Sequence, residues 1–211
     1  MIRTLGRTVL KKTGLYGAYS LLRKGPLLED GWFRSFDEGM PVDASGAPLP
    51  FLNYPVISFL ASRVRRDMHV FEYGSGFSTL WWAARVASIV ACEHNADWHA
   101  RISALAPANA TIVHVPLDAG YSSYAARFPG RVDILVIDGR NRVECARNSL
   151  DCLTPGGVVI WDDVQREKYH EGFVLLESCG FRRLDFEGLV PSLNERGYTA
   201  VFYRPGNCLS L

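Results

Sequence analysis

The feature that most constrains this chain is a repeated alternation, between residues 69 and 162, of short Val- and Ile-rich runs with segments of helical spacing. The runs span residues 69–73, 88–93, 111–115, 132–138 and 158–162, and helical patterns over 78–86, 96–105 and 142–153 separate most of them. None of the runs alternates strictly between apolar and polar side chains, which is how strands covered on both faces of a parallel sheet read. Parallel neighbours need long crossovers, and helices supply them, so the pattern predicts a doubly wound α/β fold of Rossmann type. Before it, Val56, Phe59, Leu60 and Val64 fall on one stripe of a helix expected over 54–66, and the Pro- and Gly-punctuated stretch 40–50 reads as loop. After it, a helix over 167–178 and strands over 182–186 and 198–203 are expected.

A chain of 211 residues, 48% hydrophobic, buries one substantial core, so we expect one domain over residues 51–211 with a helical extension over 1–50. Residues 1–26 carry Arg3, Arg7, Lys11, Lys12, Arg23 and Lys24 with no acid, interleaved with Ile2, Leu5, Val9, Leu15, Tyr19 and Leu22. Such a basic amphipathic segment suits an anionic membrane face or a partner, or packing on its own domain or across a homodimer; Gly6, Gly14 and Gly17 weaken it as an isolated helix. Overall, 23 Lys and Arg nearly balance 22 Asp and Glu, so a dedicated nucleic-acid binder is not expected and a small-molecule substrate is. The five cysteines show no C-x-x-C spacing and mostly lie in apolar segments, which points to a reducing, cytoplasmic compartment. No apolar run approaches the roughly 18 residues that span a bilayer, and no cleavable leader is expected.

The run HVFEYGSGFSTLWWAARV reads as a buried strand, a glycine turn and a helix, so unpaired N–H groups and the positive end of a helix dipole face the carboxyl edge of the strand. Gly74 and Gly76 permit positive φ and close backbone approach, and Ser78 or Thr79 can cap the helix. A G-x-G turn alone is as compatible with a tight structural turn as with a ligand. Glu93, 17 residues after Gly76 at the end of the next run, adds a carboxylate placed to accept hydrogen bonds from ribose hydroxyls. A dinucleotide site wants a third glycine where Thr79 stands, and no G-K-[ST] follows the glycines, so a cofactor with a ribose but no phosphate suits the loop better.

The strings EYGSGFSTLWWA, CEHNADWHARI, VDILVIDGRNRVECARNSL and LTPGGVVIWDD, in that order, resemble the class I S-adenosylmethionine-dependent methyltransferases, especially bacterial small-molecule members with an EYGSGxST loop. The resemblance implies a seven-stranded, mostly parallel sheet ending in an antiparallel strand, with S-adenosylmethionine over the carboxyl ends of the first strands. It implies that Glu72, Tyr73, Gly74, Ser75, Gly76 and Ser78 line the methionine side, that Glu93 meets the ribose and that His94 flanks the adenine. Asp118, after the third strand, matches the position that contacts the adenine amine.

Asp138 closes the fourth run and Asp162 and Asp163 the fifth, so all three are expected at the same sheet edge as the glycine loop. Three roles stay open. They can hold Mg²⁺ or Ca²⁺, as acids at these strand ends do in the catechol-type O-methyltransferases that the arrangement is similar to. Asp138 or Asp162 can take the proton of an acceptor hydroxyl without a metal. Or the acids cap helices and pair with Arg140 and Arg142. Arg140 and Arg142 could instead clamp an anionic group of the acceptor, and Tyr54, Tyr121 and Tyr124 could line its pocket or be core packing. The five histidines make no zinc pair and no serine sits in a nucleophile elbow. The expected reaction is methyl transfer to a hydroxyl of a small sugar or natural product. A nicotinamide enzyme and a non-catalytic cofactor-binding protein are the alternatives.

Overall fold

A computed structural model describes residues 8–211. Ile2, Arg3, Leu5, Gly6 and Arg7 of the basic segment lie outside the described residues. Among the described residues the chain begins with short helices: α1 over residues 8–12, α2 over Tyr16–Leu21, α3 over Pro26–Glu29 and α4 over Trp32–Glu38. Within the stretch expected to be loop, Val42 and Pro48 form an isolated antiparallel bridge. Then follow α5 (Tyr54–Ala61), β1 (His69–Tyr73), α6 (Phe77–Ala83), β2 (Ser88–Glu93), α7 (Ala96–Ser103) and β3 (Ala110–His114). A 3₁₀ turn over Tyr121–Arg127 leads to β4 (Val132–Ile137), α8 (Arg142–Ser149), β5 (Leu153–Asp162), α9 (His170–Ser178), β6 (Arg182–Leu189) and β7 (Arg196–Tyr203).

The seven strands form one sheet in the order β3-β2-β1-β4-β5-β7-β6. Neighbours from β3 to β5 pair parallel, whereas β7 is antiparallel to both β5 and β6. This is the doubly wound, Rossmann-like α/β architecture expected, with the antiparallel strand inserted one place from the edge. Because successive strand residues point to opposite faces, each central strand feeds two cores. Val70, Ile134, Val136, Val158, Ile160 and Val201 face Val56 and Leu60 of α5 and Trp81 and Trp82 of α6. Phe71, Tyr73, Leu135, Ile137, Val159 and Trp161 face α8 and α9, where Cys145, Ala146, Phe173 and Leu176 close the opposite layer.

Several boundaries differ from the sequence reading by a few residues, α5 ending at Ala61 and α6 at Ala83 among them, and the differences around β5 and β6 are the most informative. β5 starts at Leu153, through Thr-Pro-Gly-Gly, because Leu153 pairs with Val132 before a register shift realigns β4 and β5. α8 therefore stops at Ser149, and Leu150–Cys152 is a single 3₁₀ turn. β6 runs on to Leu189, where it is half-exposed and lacks an apolar pattern.

One buried amide ties the layers together. Asn53 accepts from the Val56 N–H (3.1 Å), capping α5, and its Nδ2 donates to the Phe186 carbonyl (3.1 Å) and to Thr199 Oγ1 (3.2 Å). Asn53→Ala removes the cap and strands buried acceptors on β6 and β7, so we expect a loss of about 2 to 3 kcal/mol in urea denaturation. Asn53→Asp keeps the cap but cannot donate, and is expected to lose a comparable amount.

Candidate cofactor and acceptor site

The sheet reverses direction of winding between β1 and β4, and ligands of open α/β sheets bind at the carboxyl ends of the strands flanking that point. Here the two strand ends are Tyr73-Gly74 and Ile137-Asp138, held side by side by the Asp138 N–H donating to the Tyr73 carbonyl (3.1 Å). Above them opens a cleft of about 780 Å³. Its lining brings together Glu72, Gly74, Ser75, Ser78, Glu93, His94, Asp138, Arg140 and Asp163 from the sequence reading.

The glycine loop is shaped by its flanking residues. Gly74 takes φ of 98°, where a side chain is disfavoured, and a Cβ there would lie 3.3 Å from the Asp138 carbonyl oxygen. Gly76, in contrast, has extended backbone with φ of 169°, which any residue adopts; a Cβ on it meets only Ser78 Oγ and Trp98 at 3.9 Å. Gly76 is thus open for the ligand's sake rather than the backbone's. Gly139, the partner of the loop across the switch point, has no room for a side chain, because a Cβ would collide with the buried Tyr121 hydroxyl and approach Gly74 N to 2.9 Å.

Glu72 shares its face of β1 with Val70, so the pleat carries it under the first turn of α6 rather than into water. Only 1% of it is exposed. There Thr79 Oγ1 donates to Glu72 Oε2 at 2.5 Å and accepts from the Gly76 N–H at 3.1 Å, linking strand, loop and helix. Burial pushes the Glu72 carboxyl up to about 7, the hydrogen bonds from the helix turn opposing and nearby Glu93 adding to the rise. Glu93 at the end of β2 is also buried: its Oε2 accepts from Ser75 N and Oγ, both at 3.1 Å, and its Oε1 accepts from Asn95 N at 2.8 Å. His94 Nδ1 stands 2.9 Å from the same oxygen.

On the far side of the switch point the three aspartates part company. Asp138 lies on the cleft floor with its side chain 26% exposed, 2.9 Å from Arg142 Nη2. Desolvation pushes its carboxyl up to about 7 against the pull of that guanidinium. Asp163, at φ of 61°, pairs with Arg142 (3.2 Å) and Arg166 (3.0 Å). Asp162 is turned away, accepting from Thr199 Oγ1 at 2.6 Å, and burial holds its pKa well above the usual carboxylate range. Among the described residues no group of three His, Cys, Asp or Glu side chains is arranged to hold a metal ion, so the Mg²⁺ or Ca²⁺ reading of Asp138, Asp162 and Asp163 has no support. The cationic partner they have is Arg142, 7% exposed, whose Nε also donates to the Gly139 carbonyl (3.0 Å) and whose Nη1 donates to the Asp162 carbonyl. Arg142 is therefore committed to the strand ends, while it also stands in the lining of the cleft. Arg140 lines the cleft and pairs with no carboxylate among the described residues.

Other sequence candidates stand elsewhere. The Tyr73 hydroxyl lies on the opposite face of the sheet, 2.6 Å from Ser149 Oγ. Tyr121 is fully buried against Tyr73, and Tyr124 packs on Phe71 and Phe128. Tyr54 lines a separate depression with Asp30 and Asp43, and Asp118 is exposed in the turn after β3. The sequence reading missed one wall of the cleft: Asn95, Asp97, Trp98 and Arg101 of the β2–α7 junction. The signal for them was there, since Asp97 and Trp98 lie four and three residues before Arg101, the spacings that put side chains beside it on a helix, and the Trp98 indole N–H donates to the Ser75 carbonyl at 2.7 Å. A second cavity of about 370 Å³ adjoins the first, lined by Met40, Pro41, Phe51, Gly76, Phe77 and Ser192, and shares Ser75, Ser78, Trp98, Arg101 and Asp138 with it.

Residues 71–164 match a family model described as a methyltransferase domain. No curated protein matches the chain. Among solved structures, the chain is similar in fold to a precorrin-8W decarboxylase from Methanobacterium thermoautotrophicum, with a TM-score of 0.59 at 19% identity over 79% of this chain and 97% of that one. It is similar to a precorrin-6y C5,15-methyltransferase from Geobacter metallireducens, with a TM-score of 0.54 at 16% identity over 71% and 87%. A putative caffeoyl-CoA O-methyltransferase from Staphylococcus aureus gives a TM-score of 0.52 at 13% identity over 74% and 86%. These likenesses show a shared fold, and the matched segment, 71–164, spans the part of the sheet from β1 to the end of β5 that frames the cleft.

Two outcomes test this geometry without any ligand. Gly74→Ala forces a side chain into a left-handed backbone and is expected to cost about 1 to 2 kcal/mol, whereas Gly76→Ala leaves thermal stability unchanged. A carboxyl whose folded pKa is raised makes a contribution to stability that is complete below the ordinary value of 4.5 and is lost as pH rises through about 7. Stability measured against pH is therefore expected to fall by roughly 3 kcal/mol less across that window in Glu72→Gln than in the parent chain. Parallel curves for the two proteins would place the titration elsewhere.

Proposed function

We propose that this chain is an S-adenosylmethionine-dependent methyltransferase acting on a hydroxyl of a small molecule, with residues 51–211 as the methyltransferase domain and residues 1–50 as a helical extension that supplies one wall of the acceptor cavity. The observation that carries the reading is the pair of adjoining cavities with Asp138 at their shared floor. A methyl donor and an acceptor must lie side by side with a proton acceptor between them, and these two spaces satisfy that demand. A cofactor-binding protein without turnover would have no use for the second cavity.

The residues present fit the cofactor. Glu72 is a buried carboxylate with no cation of its own, which suits a ligand ammonium group, and Ser75 and Ser78 stand beside it on the loop. Glu93 has lone pairs left for ribose hydroxyls beyond those it gives to Ser75 and Asn95, and His94 and Trp98 offer flat surfaces beside it. The buried Thr79, tied to Glu72, fills the position that a dinucleotide loop keeps as glycine. When bound, the cofactor supplies an activated methyl group on a sulfonium. The chain does the rest. Phe51, Phe77 and Trp98 exclude water from the acceptor cavity, Arg140 on the wall of the larger cleft is free to orient a part of the acceptor that reaches it, and Asp138, with a pKa pushed up to about 7, takes the hydroxyl proton near neutral pH. Arg142 fixes the rotamer of Asp138 and stabilises its ionised form.

Isothermal calorimetry with S-adenosylhomocysteine and, separately, NAD tests the reading. We expect micromolar binding of the first and none of the second, with affinity reduced by roughly tenfold to a hundredfold in Glu93→Ala. Because a cation beside Glu72 favours its ionised form, binding at pH 6 is expected to release up to one proton, visible as a dependence of the heat on the buffer, and Glu72→Gln removes that release. Binding of NAD in place of S-adenosylhomocysteine would overturn the proposal.

A further inference from the structure

The N-terminal arm has an interaction face that the methyl-transfer reading does not use. No residue from 8 to 30 is buried, although the segment is helical over much of its length. Val9, Leu15, Tyr19, Leu21, Leu22 and Leu28 stand between 41% and 58% exposed. α2 and α3 are six and four residues long, set off by Gly14 at φ of 75° and Gly25 at φ of 107°. Helices so short gain little from their own hydrogen bonds and hold their shape when an apolar face is buried. Lys11, Lys12, Arg23 and Lys24 are interleaved with these side chains, and no acid precedes Glu29.

We propose that residues 8–30 dock in the plane of a lipid bilayer whose headgroups are anionic. The charge distribution selects this occupant. Six of the 23 Lys and Arg and none of the 22 Asp and Glu lie in residues 1–28, leaving the remainder of the chain with 17 basic against 22 acidic residues. A second copy is a poor fit on two counts. Arm against arm would bring Lys11, Lys12, Arg23 and Lys24 onto their own counterparts. Arm against body would need a large apolar patch there, yet among the described residues beyond the N-terminal helices the exposed large apolar residues are only Phe51, Leu105, Leu117, Val174 and Leu193. A bilayer meets both needs, since its interface takes up the Leu and Tyr side chains while lysines and arginines stay among the headgroups. Among the described residues no helix is long and apolar enough to cross a membrane, so the contact lies on the surface.

Co-sedimentation of the full chain with vesicles tests this, comparing phosphatidylcholine alone with phosphatidylcholine mixed with phosphatidylglycerol. We expect binding to the mixed vesicles, at least roughly tenfold weaker on neutral ones and weakened by salt. Lys11→Glu combined with Lys12→Glu, and separately Leu15→Asp combined with Leu22→Asp, are each expected to lose roughly tenfold or more, while Lys11→Arg with Lys12→Arg retains binding. These positions are solvent-exposed, so thermal stability and S-adenosylhomocysteine binding serve as controls that stay at the parent values. Equal binding to both vesicle types, or binding to neither, overturns the proposal. A dimer by light scattering that dissociates in the Leu15→Asp, Leu22→Asp variant, without lipid binding, would assign the arm to a second copy instead.

Discussion

The centre of this molecule depends on the guanidinium of Arg142, buried where four carboxylates crowd the ends of three neighbouring strands. Glu72, Asp138, Asp162 and Asp163 arrive there because parallel strands all deliver their carboxyl ends to one edge, and each acid sits at or just past such an end. Burial first, and like charge at close range in addition, oppose their ionisation, and the raised pKa values of Glu72, Asp138 and Asp162 are the outcome. Arg142 reaches Asp138, Asp163 and the carbonyls of Gly139 and Asp162 from the first turn of α8, so one cation binds β4 to β5 at the point where the cleft opens. The arrangement leaves Glu72 without a cationic side chain among the groups that act on it.

Much of this was legible in the residues. β1 and β2 have the bounds read from sequence because strands buried on both faces are largely apolar, and each carries an acid at or next to its last residue. Glu72 and Glu93 stood out for the same reason: a carboxylate at the end of such a run has somewhere particular to point. What resisted reading was anything decided by packing between segments distant in sequence. Thr154–Gly157 looks like a turn, and becomes strand because Val132 offers a pairing edge. Tyr121 and Tyr124 look like pocket aromatics, and are core because the β3–β4 connection folds onto the face of Phe71 and Tyr73. Trp98 and Arg101 face the cleft because Asn95 caps α7 at an angle set by Glu93, two residues before it. Arg142 could be read as clamp or as counter-ion, and only the positions of three carboxylates decide between them.

The two cavities differ in how they are walled. The larger is built wholly from the sheet edge and the helices that the doubly wound pattern dictates. The smaller borrows Gly39, Met40, Pro41 and Phe51 from the segment before the sheet and Ser192 from the β6–β7 turn. Trp32 reinforces that junction, its indole N–H donating to the Leu193 carbonyl at 3.0 Å. Segments outside the sheet thus frame the smaller cavity, the one proposed to take an acceptor, and loops of this kind are where a common fold acquires its particular function.

The insertion of β7 between β5 and β6 has a consequence for how the sheet is assembled during synthesis. β6 pairs with β7 and with no other strand, and β7 alone pairs with β5. As the chain leaves the ribosome, strands β1 to β5 can find their neighbours in turn, but β6 emerges with no edge to join. It must wait, and β5 waits with its outer edge open, until β7 follows and threads between them. β7 is the keystone of that half of the sheet. It also carries Thr199, the hydroxyl that fixes both Asp162 and Asn53, so the layers beside the cleft lock together at the final step.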